Sequence, residues 1–96
     1  MNLSLDSLLI PKEDLPRDSF ALYRLLWAEQ DNPLHNTPLR LDAGCKGVRV
    51  VAGSMWVTLN GADYIVERDT TFYFPARGQA VVISNAGQSD LIFELL

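Results

Sequence analysis

The dipeptide Asn60-Gly61 stands between two runs in which apolar and polar residues alternate. Asparagine and glycine both tolerate positive φ, so the pair favours a two-residue type I′ turn between antiparallel strands. This turn fixes which residues pair. The predicted pairs are Leu59 with Ala62, Val57 with Tyr64 and Met55 with Val66 on the core side, and Thr58 with Asp63 and Trp56 with Ile65 on the other.

From Leu39 onward the apolar pattern has a period of two, and Gly, Asn, Asp or Pro interrupts it at short intervals. Many short strands at close spacing are typical of a sandwich or barrel. The pattern therefore predicts a mainly β domain over residues 39–96. Its predicted strands are Leu39–Ala43, Val48–Ala52, Met55–Leu59, Ala62–Glu67, Thr71–Phe74, Ala80–Ser84 and Leu91–Leu95.

Residues 1–38 follow a different pattern. Helical spacing recurs at Phe20, Tyr23, Leu26 and Trp27, which predicts one α-helix over about 18–30. The following stretch DNPLHNTP is rich in turn-forming residues and predicts a linker over 31–38. We therefore expect an N-terminal segment with a helix and a linker, followed by the barrel.

The side of the hairpin that carries Trp56 and Ile65 is half apolar. A sheet with apolar residues on both faces has to be covered on both, because large exposed apolar patches are unusual on monomers. We expect the helix, a second copy of the chain, or both to cover the Trp56 side. This predicts a homodimer with the N-terminal segment near its interface. For residues 1–10 the sequence predicts at most an edge strand, because Pro11 lacks a backbone N–H to donate a hydrogen bond.

Composition excludes several classes of protein. Ninety-six residues with 48% hydrophobic content suit one compact domain. A net charge of -4 without a basic run argues against nucleic-acid binding. No stretch approaches the roughly 20 apolar residues of a membrane span, and the first residues do not resemble a secretory signal. The single cysteine, Cys45, cannot form an internal disulfide, so we expect a reducing, cytoplasmic setting.

The run GSMWVTLNGADYIVERDTTFYFPARGQAVVISN resembles the second half of a cupin barrel. It matches more closely a group of small bacterial cupin-like domains of unknown function, in the RmlC-like cupin superfamily, that share a G-x-x-W-V-T core. The resemblance implies a small cupin-like antiparallel β-barrel or jelly roll, to which the helical pattern adds one N-terminal α-helix. It extends from Leu39 to Leu95 and rests on Gly53, Trp56, Val57, Thr58, Gly61, Tyr64, Pro75, Gly78 and Asn85.

Metal-binding cupins carry a His-x-His pair with a following Glu, and another His after a proline turn. The corresponding regions here, LRLDAGCKGVRV and PARGQAVVISN, contain no histidine. The resemblance therefore implies a cupin-like barrel without its metal, and we expect no other cofactor. His35, the only histidine, lies in the linker and is expected to be a solvated loop residue. Cys45 is expected to belong to a tight turn.

The candidate ligand-binding residues are aromatic or polar side chains of the barrel. Cupin-like barrels hold ligands inside, where an Arg or Gln among aromatics would orient a small anion or sugar. The alternative is that the aromatics are core packing and the arginines lie on rims. The candidates are Arg49, Trp56, Tyr64, Tyr73, Arg77 and Gln79.

Two functions follow from these residues. The first is a metal-free, non-catalytic module for small-ligand binding or assembly, with no catalytic residue. The second is a small sugar- or carboxylate-modifying enzyme, with Tyr64 or Tyr73 as acid or base and Arg49 or Arg77 as anion clamp. A polar barrel mouth would favour the enzyme. A barrel filled with Met55, Val57, Leu59, Phe72 and Phe74 would favour the module.

Overall fold

The fold was analysed in a computed structural model, which describes residues 8–11, 21–28, 38–41, 44–75 and 80–96. These residues form two antiparallel sheets. The first sheet has the strand order β1-β8-β3-β6 and the second β2-β7-β4-β5. The strands are β1 (Tyr23–Leu25), β2 (Leu39–Leu41), β3 (Gly47–Ala52), β4 (Met55–Leu59), β5 (Ala62–Val66), β6 (Thr71–Tyr73), β7 (Val81–Asn85) and β8 (Leu91–Leu95).

The hairpin of β4 and β5 has the register that its turn predicts. Met55 pairs with Val66 and Leu59 with Ala62, and the pairs between them follow in order. Asn60 has a φ of 53° and Gly61 a φ of 78°, the two positive values that a type I′ turn needs. The predicted register is confirmed. The other barrel strands also lie where the period-two pattern puts them, with described ends that agree or differ by one residue; the predicted end of the first strand, residues 42–43, lies outside the described residues.

The core lies between the two sheets. Alternate residues of β3, β4, β7 and β8 are buried, whereas the residues between them are half-buried or exposed, apart from Glu94 and the strand-end residue Gly47. This alternation follows from the strand geometry, because successive side chains point to opposite faces of a sheet. The buried core residues are Leu25, Leu39, Leu41, Val48, Val50, Met55, Val57, Leu59, Val66, Val81, Ile83, Leu91 and Phe93.

The helix predicted over about 18–30 is not supported. Within the described residues 21–28 the chain forms strand β1, whose Tyr23 and Leu25 pair with Phe93 and Leu91 of β8. Tyr23 and Leu25 pack with the core while Arg24 between them is exposed, so the local period is two. Pairing with the edge of the first sheet overrides the weak helical spacing. The ends of the predicted helix and most of the linker lie outside the described residues.

A short N-terminal segment lies beside β1. Leu9 forms a bridge with Tyr23, and the backbone nitrogen of Ile10 donates a hydrogen bond of 2.8 Å to the carbonyl of Leu22. Ile10 is buried, with 6% of its surface exposed. The described part of residues 1–10 therefore contains one bridge and no strand, which is consistent with the expectation of at most an edge strand.

Candidate functional site

Among the described residues, apolar side chains fill the interior of the barrel. Phe72 and Phe74 pack against the core cluster while remaining half-buried. In the described part of the chain, the buried polar side chains are those of Asn85 and Glu94 alone. The barrel thus resembles a packed core more than a polar pocket. Its fully buried side chains include Met55, Val57 and Ile83 from the second sheet and Val48, Val50, Leu91 and Phe93 from the first.

Asn85 is engaged in holding the two sheets together. Its side-chain nitrogen donates to the carbonyl oxygens of Ser89, at 2.7 Å, and Leu25, at 3.3 Å. Its side-chain oxygen accepts a 2.9 Å hydrogen bond from the backbone nitrogen of Gly87. These bonds connect the end of β7 to β1 and to the turn before β8. Asn85 therefore acts as a structural residue whose amide is already satisfied.

Arg49 lies on the outer face of the first sheet, where it pairs with Glu94 of the neighbouring strand. Its Nε donates to Oε1 of Glu94 at 2.5 Å, and the two side chains are 41% and 11% exposed. The hydrogen bond that Arg49 donates to this nearly buried carboxylate, reinforced by the negative charge of Glu94, raises the pKa of the Arg49 guanidinium above its ordinary value. The charge of Arg49 is thus balanced within the fold, and the side chain points away from the barrel interior.

Tyr73 shares that outer face with Arg49. Thr71 of β6 pairs with Arg49, so Tyr73 lies two residues further along the neighbouring strand. Diagonal neighbours of this kind have backbones roughly 7 to 8 Å apart. Tyr73 is 69% exposed. These two candidates therefore form an open surface pair outside the barrel.

Tyr64 lies on the core side of β5, at the edge of the second sheet. Its ring centroid is 5.1 Å from that of Phe72, which in turn lies 5.9 Å from that of Phe74. The three rings thus connect the edge strand β5 to the edge strand β6. Tyr64 remains 42% exposed because it lies at the rim of this contact. Its position fits packing that closes one side of the barrel.

The outer surface of the second sheet, here named the Trp56 face, carries two rows of side chains across its strands. The strand registers place each row at one level. The first row consists of Arg40, Val82, Thr58 and Asp63. The second consists of Ser84, Trp56 and Ile65, and the exposed Pro38 precedes β2 on the same side by alternation.

The Trp56 face is open among the described residues. Trp56 is 39% exposed and Ile65, its direct partner across the hairpin, is 54% exposed. The hydroxyl of Thr58 donates to Oδ1 of Asp63 at 2.9 Å. Arg40 is exposed and forms no ion pair with the part of the chain that the structure describes. The predicted helix does not form within residues 21–28, and their strand β1 belongs to the other sheet.

A surface cavity of about 360 Å³ lies where β1 and β8 meet. It is lined by Ala21, Tyr23, Glu94, Leu95 and Leu96. Tyr23 stacks on Phe93, with ring centroids 5.6 Å apart. The candidates Arg49, Trp56, Tyr64 and Tyr73 do not line this cavity. Sequence analysis missed it because the cavity depends on Tyr23 belonging to a strand rather than to a helix.

Comparison with solved structures identifies the fold. The Schizosaccharomyces pombe Cnp3 cupin domain matches with a TM-score of 0.58 and 18% sequence identity, over 94% of this chain and 63% of that chain. The chain has a cupin-type fold. This chain spans a little under two thirds of the length of that cupin domain's chain. The likeness extends to the strand arrangement alone. No family model matches the sequence. No curated protein matches it either.

The described residues of the barrel can be tested for their fit to a metal ion. Metal ions in proteins are bound by imidazole, thiolate or carboxylate groups that converge on one point. No group of three such side chains converges anywhere in residues 8–11, 21–28, 38–41, 44–75 and 80–96. The inward residues of β3, β4 and β7 are apolar except Asn85, whose amide is satisfied. The described residues therefore do not fit a metal centre.

The structure does not bring the predicted ligand-binding residues together. Arg49 and Tyr73 lie outside the first sheet, Trp56 lies outside the second, and Tyr64 lies at the rim. Arg77 and Gln79 lie outside the described residues.

The described residues also contain no helix long and apolar enough to cross a bilayer.

Proposed function

We propose that this cupin-type barrel is a metal-free, non-catalytic assembly module that works as a homodimer. The observation that carries the proposal is the pair Trp56 and Ile65, side by side and exposed on a barrel whose interior is packed. Contiguous exposed apolar residues with a polar surround mark interaction sites on proteins. A packed interior leaves the outer surfaces as the part of the barrel that can recognise another molecule.

The described residues give no support to the alternative of a sugar- or carboxylate-modifying enzyme. General acid-base catalysis needs its groups within hydrogen-bonding reach of one substrate. Tyr64 and Arg49 lie in different sheets, on the inner and the outer side. Tyr73 and Arg49 share a face, but the guanidinium is paired with Glu94 and the ring of Tyr73 is largely exposed to solvent. We therefore rank assembly above catalysis.

The cavity at β1 and β8 supports a second function, the binding of a small molecule. Its volume of about 360 Å³ is at the lower end of ligand pockets. Four of its five lining residues offer apolar or aromatic surface, and Glu94 adds one carboxylate. A largely apolar small molecule with one hydrogen-bond donor suits this lining. Saturation of such a site would raise the unfolding midpoint by several degrees in a ligand screen.

Sedimentation equilibrium of the purified chain tests the main proposal. We expect a concentration-dependent mass that approaches twice the monomer mass, and no change in mass or thermal midpoint when a chelator is added. A monomer at all concentrations up to several hundred micromolar would contradict the homodimer. A drop in the midpoint with the chelator would contradict the metal-free state.

A further inference from the structure

We infer that two copies of the chain stack through their Trp56 faces across a two-fold axis that runs along the strands, between β7 and β4. In this arrangement Arg40 of each copy lies opposite Asp63 of the partner subunit. The inference rests on the proposed homodimer and specifies the surface and geometry through which it forms.

The strand registers put the two charges at the same level of the face. Arg40 pairs with Val82, Val82 with Thr58, and Thr58 with Asp63. The positive and the negative residue therefore end the same row, one on edge strand β2 and the other on edge strand β5. With neighbouring strands about 4.8 Å apart, the row is about 14 Å wide. Both charged residues are exposed.

A two-fold axis parallel to the strands uses this row in a self-complementary way. The rotation exchanges β2 with β5 and β7 with β4, and it leaves the level along the strands unchanged. Arg40 then meets the partner's Asp63 at one end of the row, and the same pair recurs at the other end. A closed two-fold interface requires such matching of one surface with itself. The two opposite-charge pairs fix the register of the complex.

The other in-plane axis, perpendicular to the strands, gives a poorer match. A rotation about that axis places each strand opposite the same strand of the partner subunit, and it exchanges the two rows. The charged ends of the first row would then meet the second row, where Asp63 lies opposite the apolar Ile65 of the partner subunit. Neither charge would gain an opposite charge. A desolvated charge without a partner is unfavourable, so the strand-parallel axis is preferred.

The second row is complementary in size under the same rotation. Trp56 lies opposite the half-buried Ser84 of the partner subunit, so that a large side chain meets a small one. Ile65 lies opposite the partner's Pro38, which pairs two apolar residues at each edge. Aromatic anchors in small recesses contribute strongly to protein association. Apolar contact thus supplies affinity in this row, while the first row sets orientation.

The outer face of the first sheet is less suited to this role. Its charged pair, Arg49 and Glu94, is already neutralised within one copy. On the Trp56 face, by contrast, Asp63 accepts a hydrogen bond from Thr58 and Arg40 has no ion pair among the described residues. Charges left unpaired in the monomer are the ones that a second copy can satisfy.

Charge reversal tests the geometry directly. Arg40→Asp and Asp63→Arg each place like charges opposite each other at both ends of the row, whereas the double variant restores opposite charges. We expect each single variant to weaken the dimer by at least about tenfold and the double variant to recover most of that loss. Sedimentation equilibrium measures the dissociation constants of the wild type and the three variants, and circular dichroism with thermal unfolding checks that each variant folds.

Arg68→Asp is the matched control, because it makes the same charge change at a residue whose side chain is 73% exposed and lies in the turn after β5. It should leave the dimer unchanged. This interface would be overturned if the wild type is a dimer and none of the charge reversals weakens it. It would also be overturned if the double variant dimerises no more tightly than the single variants. Either result would leave the homodimer itself unaffected. A wild-type monomer would instead remove the homodimer itself.

Discussion

Trp56 and Ile65 lie directly opposite each other on β4 and β5, and both point away from the core. An aromatic residue paired with a β-branched one stabilises a hairpin. The same pair leaves an apolar surface in water, with 39% of Trp56 and 54% of Ile65 exposed. The hairpin thus contributes to folding through one side and, in our account, to assembly through the other.

Trp56→Ser should weaken self-association by at least about tenfold, because tryptophan contributes disproportionately to interfaces. The fold should survive, since the side chain is already 39% exposed. Sedimentation equilibrium and thermal unfolding measure the two effects. Trp27→Ser is the matched control, with a side chain of similar exposure, 41%, outside the Trp56 face. Equal weakening by both substitutions would argue against this face.

Ile83→Ala should lower the free energy of unfolding by about 2 to 4 kcal/mol, because Ile83 is fully buried between the sheets. Its neighbour Val82 points outward and is half-buried, so Val82→Ala should cost less than about 1 kcal/mol. Urea unfolding of both variants gives the comparison. Similar losses of unfolding free energy in the two variants would contradict the placement of Ile83 in the core and of Val82 on the outer face.

Asn85→Ala should lower the free energy of unfolding by about 1 to 3 kcal/mol, because it leaves buried backbone groups without partners. The amide of Gly87 should lose protection in hydrogen exchange, since it donates to the side chain of Asn85. Ser84→Ala, one residue away on the outer face, serves as the control. Unchanged protection of Gly87 would contradict the structural role of Asn85.

Arg49→Met should destabilise the fold more than the double variant Arg49→Met with Glu94→Leu. The single change leaves a nearly buried carboxylate unpaired, while the double change removes both charges. The raised pKa of Arg49 means that its contribution is present below its unfolded pKa and is lost only when the pH rises through the higher folded pKa. Between about pH 6 and 10 the contribution of Arg49 should therefore be constant. Urea unfolding across that range checks both expectations.

Local patterns predicted the barrel but not its first strand. The Asn60-Gly61 turn determines its own hairpin, because turn chemistry and alternation act over a few residues. Strand β1 depends instead on pairing with β8, which is far away in the sequence, and no local sequence pattern indicates that contact. Phe20, Tyr23 and Trp27 fit a helical period, whereas the edge of the first sheet selects the alternation of Tyr23 and Leu25.

The candidate site was harder to predict than the fold, because residue type says little about which face a side chain occupies. Arg49 shows the signal that was available. It stands between Val48 and Val50, both of which are fully buried, so alternation alone directs Arg49 outward. Its pairing with Glu94 needs the register of β3 with β8, which the sequence does not reveal. The row that joins Arg40 to Asp63 likewise emerges only once three strand pairings are known.

Acrylamide quenching of Trp56 fluorescence as a function of protein concentration tests the central claim most directly. In a Trp27→Phe variant the signal comes from Trp56 alone, since the chain has two tryptophans. The account predicts that quenching decreases as the dimer forms, with the same midpoint concentration as the change in sedimenting mass. Quenching that stays constant while the mass doubles would show that the copies meet through another surface.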